Sequence, residues 1–224
     1  MIRNNFKYLF LFLVLVLFSN PLFAKEPENL HTAKQAGIFY HDSGEYDVDL
    51  GVVAEDAVSY LESRISQNNS LPEPKKLAVV IDVDETAISN YEILLELNFA
   101  FLRSLLAPGI KKAQDPAIKP TLKLYDYAKD NGVAIFFITS RSEKLREVTE
   151  KNLKDVGYAE WNELFLKPNT YDKKSVIPFK RGARKSIQDE GYHIVVNIGD
   201  QFSDLAGGYS ERTFKLPNPY YYVP

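Results

Sequence analysis

Acidic residues directly follow an apolar run near the middle of the chain. The stretch LAVVIDVDETAISN, residues 77–90, places Asp82, Asp84 and Glu85 immediately after Leu77–Ile81. An uninterrupted apolar run of this kind is typical of a central strand that is covered on both faces. Because two residues of extended chain return a side chain to the same side, we expect Asp82 and Asp84 to face one site. Close carboxylates repel each other unless a cation lies between them or one is protonated.

The composition limits which cation these carboxylates would bind. The chain has no cysteine, and His193 is the single histidine after residue 41. Oxygen ligands are therefore expected, and these favour magnesium over zinc or copper. The absence of cysteine also excludes disulfides and a cysteine nucleophile. Asp-x-Asp pairs occur in solvated turns as well, so the pair alone leaves both interpretations open.

Other polar residues follow apolar runs in the same way. Thr139 comes at the end of FFIT, Lys180 lies in PFKRGARK, and Asp200 and Asp204 lie in GDQFSD. Each has an ordinary alternative: a helix N-cap for Thr139, a charged helix face for Lys180 and a turn for the aspartates. Ligands gather at the carboxyl ends of strands in a parallel sheet. We therefore expect Asp82, Thr139 and Asp200 to meet at one edge.

Apolar strands alternate with helices along the chain, which predicts an α/β fold. We expect a Rossmann-like parallel sheet with helices on both faces and a small helical accessory, or cap, region. The C-terminal segment RTFKLPNPYYYVP is expected to be extended. The predicted helices are 47–68, about 120–131, 142–155 and 180–190, the predicted strands are 77–81, VAIFFITS, ELFLKP and HIVVNIGD, and residues 91–113 are predicted to be helical with an interruption at Pro108-Gly109.

The first 24 residues have the order of a secretory signal: basic Arg3 and Lys7, an apolar run from Tyr8 to Phe18, and small residues up to Ala24. The apolar run is short for a membrane anchor, which is the alternative. Loss of Arg3 and Lys7 would move the net charge from -3 to -5. This acidic balance argues against nucleic-acid binding.

We therefore predict an exported protein, periplasmic or secreted, with no membrane association after cleavage. Residues 25–224 are expected to form a single domain, because about 200 residues can bury one full core. The accessory helical parts are expected near 30–70 and 91–118.

The order of these segments resembles the haloacid dehalogenase superfamily of phosphatases. Its four motifs correspond to DVDET with Asp82 and Asp84, Thr139, Lys180, and Asp200 with Asp204. The segments GEYDVDL, FFITSR and RTFKLPNPYYYVP are similar to the branch that contains secreted class B and class C acid phosphatases and plant vegetative storage proteins. The likeness extends from about Tyr40 to Pro224.

The resemblance implies a magnesium-dependent acid phosphatase that hydrolyses phosphomonoesters. Asp82 would be the nucleophile that forms an aspartyl phosphate, and Asp84 would be the general acid and base. Thr139, Ser140 and Lys180 would bind the phosphate. Mg²⁺ would be held by the Asp82 and Asp200 side chains and the Asp84 main-chain carbonyl. Asp204 would orient the metal's waters or pair with Lys180, whereas Glu85 and Thr86 are assigned to local geometry.

Three departures from the family pattern are Ser140, Arg181 and Phe202, and the first two are expected to bear on substrate preference. The substrate would be a small-molecule phosphomonoester, with a nucleoside monophosphate as one candidate because Tyr91 and Phe99 offer rings for stacking. A storage or binding protein with little turnover and a phosphotransferase are the alternative functions. The intact Asp82 favours an enzyme.

Overall fold

The computed structural model describes residues 26–224 of the chain. The predicted signal peptide, residues 1–24, lies outside the described residues. The chain divides into two compact units between Ala33 and Lys34, and every element that positions the site belongs to the second unit, Lys34–Pro224. Among residues 26–224, no helix combines the length and the apolar character needed to cross a membrane.

The elements alternate between helices and strands as predicted. The helices are α1 (Leu30–Asp42), α2 (Glu45–Asn69), α3 (Tyr91–Glu96), α4 (Arg103–Ile110), α5 (Lys119–Asp130), α6 (Arg146–Asp155), α7 (Ile177–Asp189) and α8 (Phe202–Leu205). The strands are β1 (Lys76–Ile81), β2 (Ala134–Ser142), β3 (Glu163–Lys167), β4 (Tyr192–Gly199) and β5 (Arg212–Lys215), and a short 3-10 turn, Glu143–Leu145, precedes α6.

The five strands form one parallel sheet in the order β3-β2-β1-β4-β5. The chain moves outward on one side of β1 through β2 and β3, and then crosses to the other side for β4 and β5. Ile81 at the end of β1 pairs with Phe137 of β2 and with Ile198 of β4. The carboxyl ends of β1 and β4 therefore lie at one level, next to the point where the strand order reverses, and β2 continues past them to Ser142. Ligand sites in open α/β sheets form at such a point.

Both faces of the sheet are covered, which explains the uninterrupted apolar run in β1. Val79 and Ile81 pack into the larger core, to which helix α2 contributes Leu50 and Leu61. The neighbouring residue Val80 points to the opposite face, where a smaller core includes Ile187 of α7. The alternation of side chains along a strand sends successive apolar residues to opposite layers. The predicted fold class is confirmed.

The region 91–113 departs from the predicted pattern. The helical segments α3 and α4 are separated at residues 97–102, where Asn98 and Phe99 have φ of 50° and 57°, and Pro108 lies inside α4. The predicted break at Pro108-Gly109 is therefore wrong. Gly109 is needed for close packing instead, because a Cβ there would lie 2.7 Å from Cδ1 of Ile93.

The sheet also contains a strand that the sequence did not reveal. Strand β5, residues Arg212–Lys215, lies within the segment predicted to be wholly extended surface chain. Glu211, the residue before β5, makes side-chain contacts with helix α2 and strand β4. Tyr60 donates a hydrogen bond to Glu211 Oε1 at 2.5 Å, and Nε2 of His193 lies 2.8 Å from Oε2.

Burial raises the pKa of Glu211, but hydrogen bonds from Tyr60, Arg64 and His193 outweigh it and lower that pKa from 4.5 to about 2. Glu211 therefore stabilises the fold above the unfolded-state pKa near 4.5, and this contribution is lost as the pH falls towards 2.

We expect Glu211→Gln to lower the free energy of unfolding by on the order of 1 kcal/mol at pH 7. The difference from wild type should shrink as the pH falls below 4.5. Urea unfolding followed by circular dichroism at pH 7, 5 and 4 measures both quantities. Glu55→Gln removes an exposed carboxylate from the same helix, α2, and serves as the control. An equal deficit for Glu211→Gln at pH 7 and pH 4 would contradict the assignment.

Candidate active site

Two aspartates come together where β1 and β4 end. The main-chain N–H of Asp82 donates to the carbonyl of Ile198 at 3.0 Å, which extends the pairing of the two strands by one residue. Asp200 follows β4 after Gly199, and its Oδ1 accepts a hydrogen bond from the Thr86 hydroxyl at 3.2 Å. Thr86 thus contacts a residue 114 positions later in the chain. The placement of Asp82 and Asp200 at one edge of the sheet agrees with the topology expected from the sequence.

Asp204 joins these two residues to form a buried acidic cluster. Carboxylate oxygens of Asp82, Asp200 and Asp204 all lie within 4.8 Å of one another. Lys180 of α7 lies between two of them, with Nζ 2.5 Å from Oδ1 of Asp82 and 2.5 Å from Oδ1 of Asp204. The other oxygen of Asp204 accepts from the main-chain N–H of Gln201 at 2.7 Å. Asp204 is thus paired with Lys180, and a role in orienting the waters of a metal stays a prediction.

The cluster contains more negative charge than Lys180 compensates. Burial, together with the Asp204 carboxylate, raises the pKa of Asp82 well above its usual range. Burial and Asp204 likewise raise the pKa of Asp200 to about 7. Burial lowers the pKa of Lys180, but Asp204 and Asp82 outweigh it and raise that pKa overall. A divalent cation would relieve the remaining repulsion, and a donor set made only of carboxylate oxygens suits a hard ion.

The side chain of Asp84 points to a different set of partners. Its Oδ1 accepts hydrogen bonds from Nε of Arg141 at 2.9 Å and from Nδ2 of Asn90 at 2.8 Å. Burial opposes the charged form of Asp84, but Arg141 outweighs it, and the pKa of Asp84 is lowered. The Asp84 side chain is not part of the acidic cluster formed by Asp82, Asp200 and Asp204.

Arg141 is the centre of a buried network that the sequence analysis missed. Its side chain is 2 % exposed, and Nη2 lies 2.8 Å from Asp84 Oδ1 and 3.4 Å from Asp115 Oδ2. The same nitrogen donates to Oδ1 of Asn90 at 3.2 Å. Its position two residues after Thr139 was a usable signal, because the strand-end rule that selected Thr139 applies equally to Arg141. Asp115 and Asn90 carry no comparable signal in the sequence.

The predicted phosphate-binding residues differ in their access to the site. Thr139 is fully buried, and its hydroxyl donates to Oδ2 of Asp84 at 3.4 Å and accepts from the Arg141 main-chain N–H at 3.1 Å. Ser140 and Lys180 line the cavity above the acidic cluster. Ser140 and Lys180 therefore line the cavity, whereas Thr139 does not line it and contacts Asp84.

The cavity has a volume of about 300 Å³ and lies above the carboxylates. Its floor contains Asp82, Asp84, Glu85, Lys180, Asp200 and Asp204, and its walls include residues of α3, α4, the turn after β2 and the C-terminal segment. Phe101 and Tyr221 stack on one side with ring centroids 4.0 Å apart. Their ring planes differ by 11°, so the two rings present a continuous aromatic wall.

The C-terminal segment contributes directly to the floor of the site. Nδ2 of Asn218 donates to Oδ2 of Asp200 at 2.6 Å. Tyr221 donates its hydroxyl hydrogen to the buried carboxyl of Glu85. Burial and the nearby Asp84 raise the pKa of Glu85 to about 8. Glu85 thus has a structural contact with the C-terminal segment.

Two aromatic residues predicted to stack on a nucleoside base lie elsewhere. Tyr91 is buried and stacks on His41 with ring centroids 3.4 Å apart, and Phe99 stacks on Tyr220 at 5.7 Å. Neither lines the cavity. The nucleoside monophosphate hypothesis therefore loses both of its predicted stacking residues. Arg181 also lies outside the cavity wall and donates to the carbonyl of Gly207 at 3.2 Å.

Comparison with known proteins shows the family. Residues 23–224 match the family of HAD superfamily, subfamily IIIB, acid phosphatases. Vegetative storage protein 1 of Arabidopsis thaliana is 34 % identical over 188 residues, which cover 81 % of this chain and 67 % of that protein. Acid phosphatase 1 of Solanum lycopersicum is 33 % identical over 182 residues, which cover 80 % and 69 % respectively.

The chain therefore belongs to the HAD subfamily IIIB acid phosphatases, a family of enzymes. The class C acid phosphatase from Bacillus anthracis has a similar fold, with a TM-score of 0.66, 21 % identity and 85 % of each chain covered. The predicted superfamily, its acid phosphatase branch and the predicted enzyme class are confirmed by these similarities.

We expect Arg141→Met to lower the free energy of unfolding by about 3–5 kcal/mol, because the buried Asp115 and the half-buried Asp84 would lose their cation. Urea unfolding at pH 7 measures this change. Adding Asp115→Asn to the Arg141→Met variant should recover part of the loss, since it removes one of the two uncompensated carboxylates.

The matched control is Arg146→Met, which removes a half-buried arginine paired with Glu143 and Glu150 on the protein surface. Surface pairs contribute about 0–1 kcal/mol. An effect of Arg141→Met no larger than that of Arg146→Met would rule out the buried network as a major source of stability.

Proposed function

We propose that this protein is an exported, Mg²⁺-dependent acid phosphatase that hydrolyses small phosphomonoesters through an aspartyl phosphate on Asp82. The observation that carries the proposal is the buried cluster of Asp82, Asp200 and Asp204 with Lys180 at the floor of an open cavity. Membership of an acid phosphatase family supports the reaction class. In this proposal residues 1–24 are a cleaved signal peptide, and residues 25–224 form one phosphatase domain with accessory parts near 30–70 and 91–118.

Asp82 attacks phosphorus in the first step, and the bond from phosphorus to the leaving oxygen breaks. Lys180 contacts the Asp82 carboxylate at 2.5 Å, so its ammonium group lies where the transferring oxygens gather. Thr139 and Ser140, at the end of β2, are the other groups proposed to hold those oxygens. Charge stabilisation and positioning supply most of the catalysis in phosphoryl transfer.

Asp84 moves the proton in both steps. It protonates the leaving oxygen, and then takes a proton from the water that cleaves the aspartyl phosphate. Arg141 and Asn90 hold the Asp84 carboxyl in place and favour its ionised form, which is the form needed for the second step. A phosphate dianion bound nearby would raise the pKa of Asp84 by repulsion, which favours the protonated form needed for the first step.

The Asp82 and Asp200 side chains and the Asp84 main-chain carbonyl would hold the magnesium ion. Bound there, it would supply positive charge that offsets the repulsion between Asp82 and the substrate phosphate. Asn218 and Gln201 each donate to Asp200 Oδ2 at 2.6 Å, which fixes the orientation of this carboxylate. Such outer contacts fix the direction in which a ligand oxygen points.

The class C acid phosphatase of Bacillus anthracis also has a structure with tungstate bound. Tungstate is a tetrahedral oxyanion, as phosphate is, and the proposed phosphoryl site of this chain lies at the floor of its cavity. A storage role with little turnover is the second candidate, because one relative is a vegetative storage protein. Transfer of the phosphoryl group to an alcohol uses the same intermediate and is a further alternative.

We expect the purified protein to hydrolyse p-nitrophenyl phosphate at acidic pH with Mg²⁺, and to lose this activity in a chelator. Asp82→Asn should lower kcat by about 10³-fold or more, because it removes the nucleophile without changing the shape of the side chain. Asp189→Asn, an exposed carboxylate on α7, is the control. A folded wild-type protein without turnover at acidic or neutral pH would favour the storage role.

Magnesium binding has a readout that is independent of turnover. At a Mg²⁺ concentration of about 100 times Kd, binding adds about 2.7 kcal/mol, which should raise Tm by roughly 5–10 °C for a protein of this size. We expect Asp200→Asn to abolish most of this shift and Asp189→Asn to retain it, as measured by calorimetry with and without Mg²⁺. Equal shifts in wild type and Asp200→Asn would exclude Asp200 as a ligand.

A further inference from the structure

The upper part of the catalytic cavity is built from apolar side chains. Phe101 and Leu106 line it on the α4 side, Ile110 lies at the end of α4, and Leu145 lies in the turn after β2. Leu106 and Ile110 are buried within the wall, whereas Phe101 is half-buried. These residues line the same cavity as the carboxylates of the acidic cluster. A leaving group that extends from Asp82 towards solvent would therefore contact apolar surface, which favours an aromatic or aliphatic leaving group.

Three cations line the same cavity beyond the apolar wall. Arg103 begins α4 and Lys111 follows its last residue, so they are eight residues apart and separated by about 12 Å along the helix axis. Lys144 lies in the 3-10 turn that follows β2 and lines the same cavity. All three are exposed. The three side chains come from two separate parts of the chain and line one cavity, and they are here called the cationic rim.

The cationic rim has no acidic partner in the part of the chain that the structure describes. None of the salt bridges found among residues 26–224 includes Arg103, Lys111 or Lys144. The acidic residues that line the cavity are buried or half-buried: Asp82, Asp84, Glu85, Asp200 and Asp204. The exposed charged residues in the cavity lining are therefore all cations.

The reacting phosphoryl group already has cations of its own. Lys180 contacts Asp82 directly, and the acidic cluster is proposed to hold a divalent ion. Arg141 is engaged by Asp84 and Asp115. The rim cations are exposed, whereas Lys180 is buried, and they lie on elements that do not carry the carboxylates of the acidic cluster. They are thus available to a second anionic group on the part of the leaving group that extends towards solvent.

We propose that the physiological substrate is a phosphomonoester whose leaving group is apolar in its middle and has a second anionic group at its far end, recognised by Arg103, Lys111 and Lys144. The second group is a carboxylate, a sulfonate or another phosphate, since all three share the negative charge that a cationic rim recognises. This assignment rests on the proposed phosphatase function, because it places the transferred phosphate at Asp82. The alternative is that the rim attracts any anion from solution and makes no specific contact with the far end of the leaving group.

The test uses two ligands that differ in one charge. The 4'-carboxybiphenyl-4-yl phosphate and its 4'-carboxamide have the same shape, and their leaving groups are similar phenols. We expect kcat/KM of the wild-type protein to be about five- to tenfold higher for the carboxylate, since exposed ion pairs contribute about 1 kcal/mol. Replacing the carboxylate by a sulfonate or a phosphate shows which anion the rim prefers. The advantage should shrink with added salt, because salt screens exposed charges.

The triple variant Arg103→Gln, Lys111→Gln, Lys144→Gln should bring the ratio of the two kcat/KM values to about one. Lys112→Gln is the matched control, because Lys112 is exposed and adjacent to Lys111 but does not line the cavity, and this variant should keep the wild-type ratio. A wild-type ratio of one would overturn the proposal. A triple variant that slows both substrates equally would also overturn it, and would establish general attraction of anions instead.

Binding of the corresponding non-hydrolysable phosphonates separates this inference from the proposed function. Isothermal titration calorimetry should give a lower Kd for the carboxylate phosphonate than for the carboxamide, and the triple variant should remove the difference. If this difference is found without turnover of either phosphate, the cationic rim stands and the phosphatase function fails. If both phosphates are hydrolysed but the phosphonates bind equally, the phosphatase function stands and the rim assignment is refuted.

Discussion

The interaction on which the site depends is the contact of Lys180 with Asp82 and Asp204. It places one ammonium group between two carboxylates in a setting from which water is largely excluded, and burial of charge is costly unless partners are close. Helix α7 is the element that makes this contact possible. One turn after Lys180, Arg184 is fully buried and donates through Nη1 to the main-chain carbonyl of Asp204 at 2.5 Å. The same helix therefore contacts both the side chain and the backbone of Asp204. With three carboxylates and one ammonium group, the cluster has an excess of negative charge that a cation would reduce.

Asp82 and Asp84 are two residues apart, and their surroundings move their pKa values in opposite directions. Burial and the neighbouring Asp204 raise the pKa of Asp82, whereas Arg141 overcomes the effect of burial on Asp84 and lowers its pKa. Different roles for paired carboxylates commonly arise in this way, through unequal environments. This difference between the two aspartates follows from the fold. Asp82 directly follows β1 and lies next to β4, whereas the Asp84 side chain, in the turn after β1, contacts Arg141 near the end of β2.

The strand ends could be predicted because their positions follow from a simple pattern. An apolar run fixes the strand, and parallel pairing places Asp82, Thr139 and Asp200 at one edge. The same pattern marks Arg141, which lies near the end of β2, as a candidate, but it does not give the direction of the side chain. Only the packed structure shows that Arg141 turns inward to Asp84. The aromatic residues Tyr91 and Phe99 gave no directional signal either, because an aromatic-rich helical segment can pack into the core or line a cavity.

The C-terminal segment was the least predictable part of the site, since extended chain without periodicity does not reveal its contacts. Its docking is nevertheless specific. Asn218 contacts Asp200, Tyr221 contacts Glu85, and the main-chain N–H of Val223 donates to Oε1 of Gln201 at 3.0 Å. These contacts link the C-terminal segment to positions up to 136 residues earlier in the chain. The orientation of Asp200 therefore depends on the docking of this segment, because Asn218 donates directly to its carboxylate.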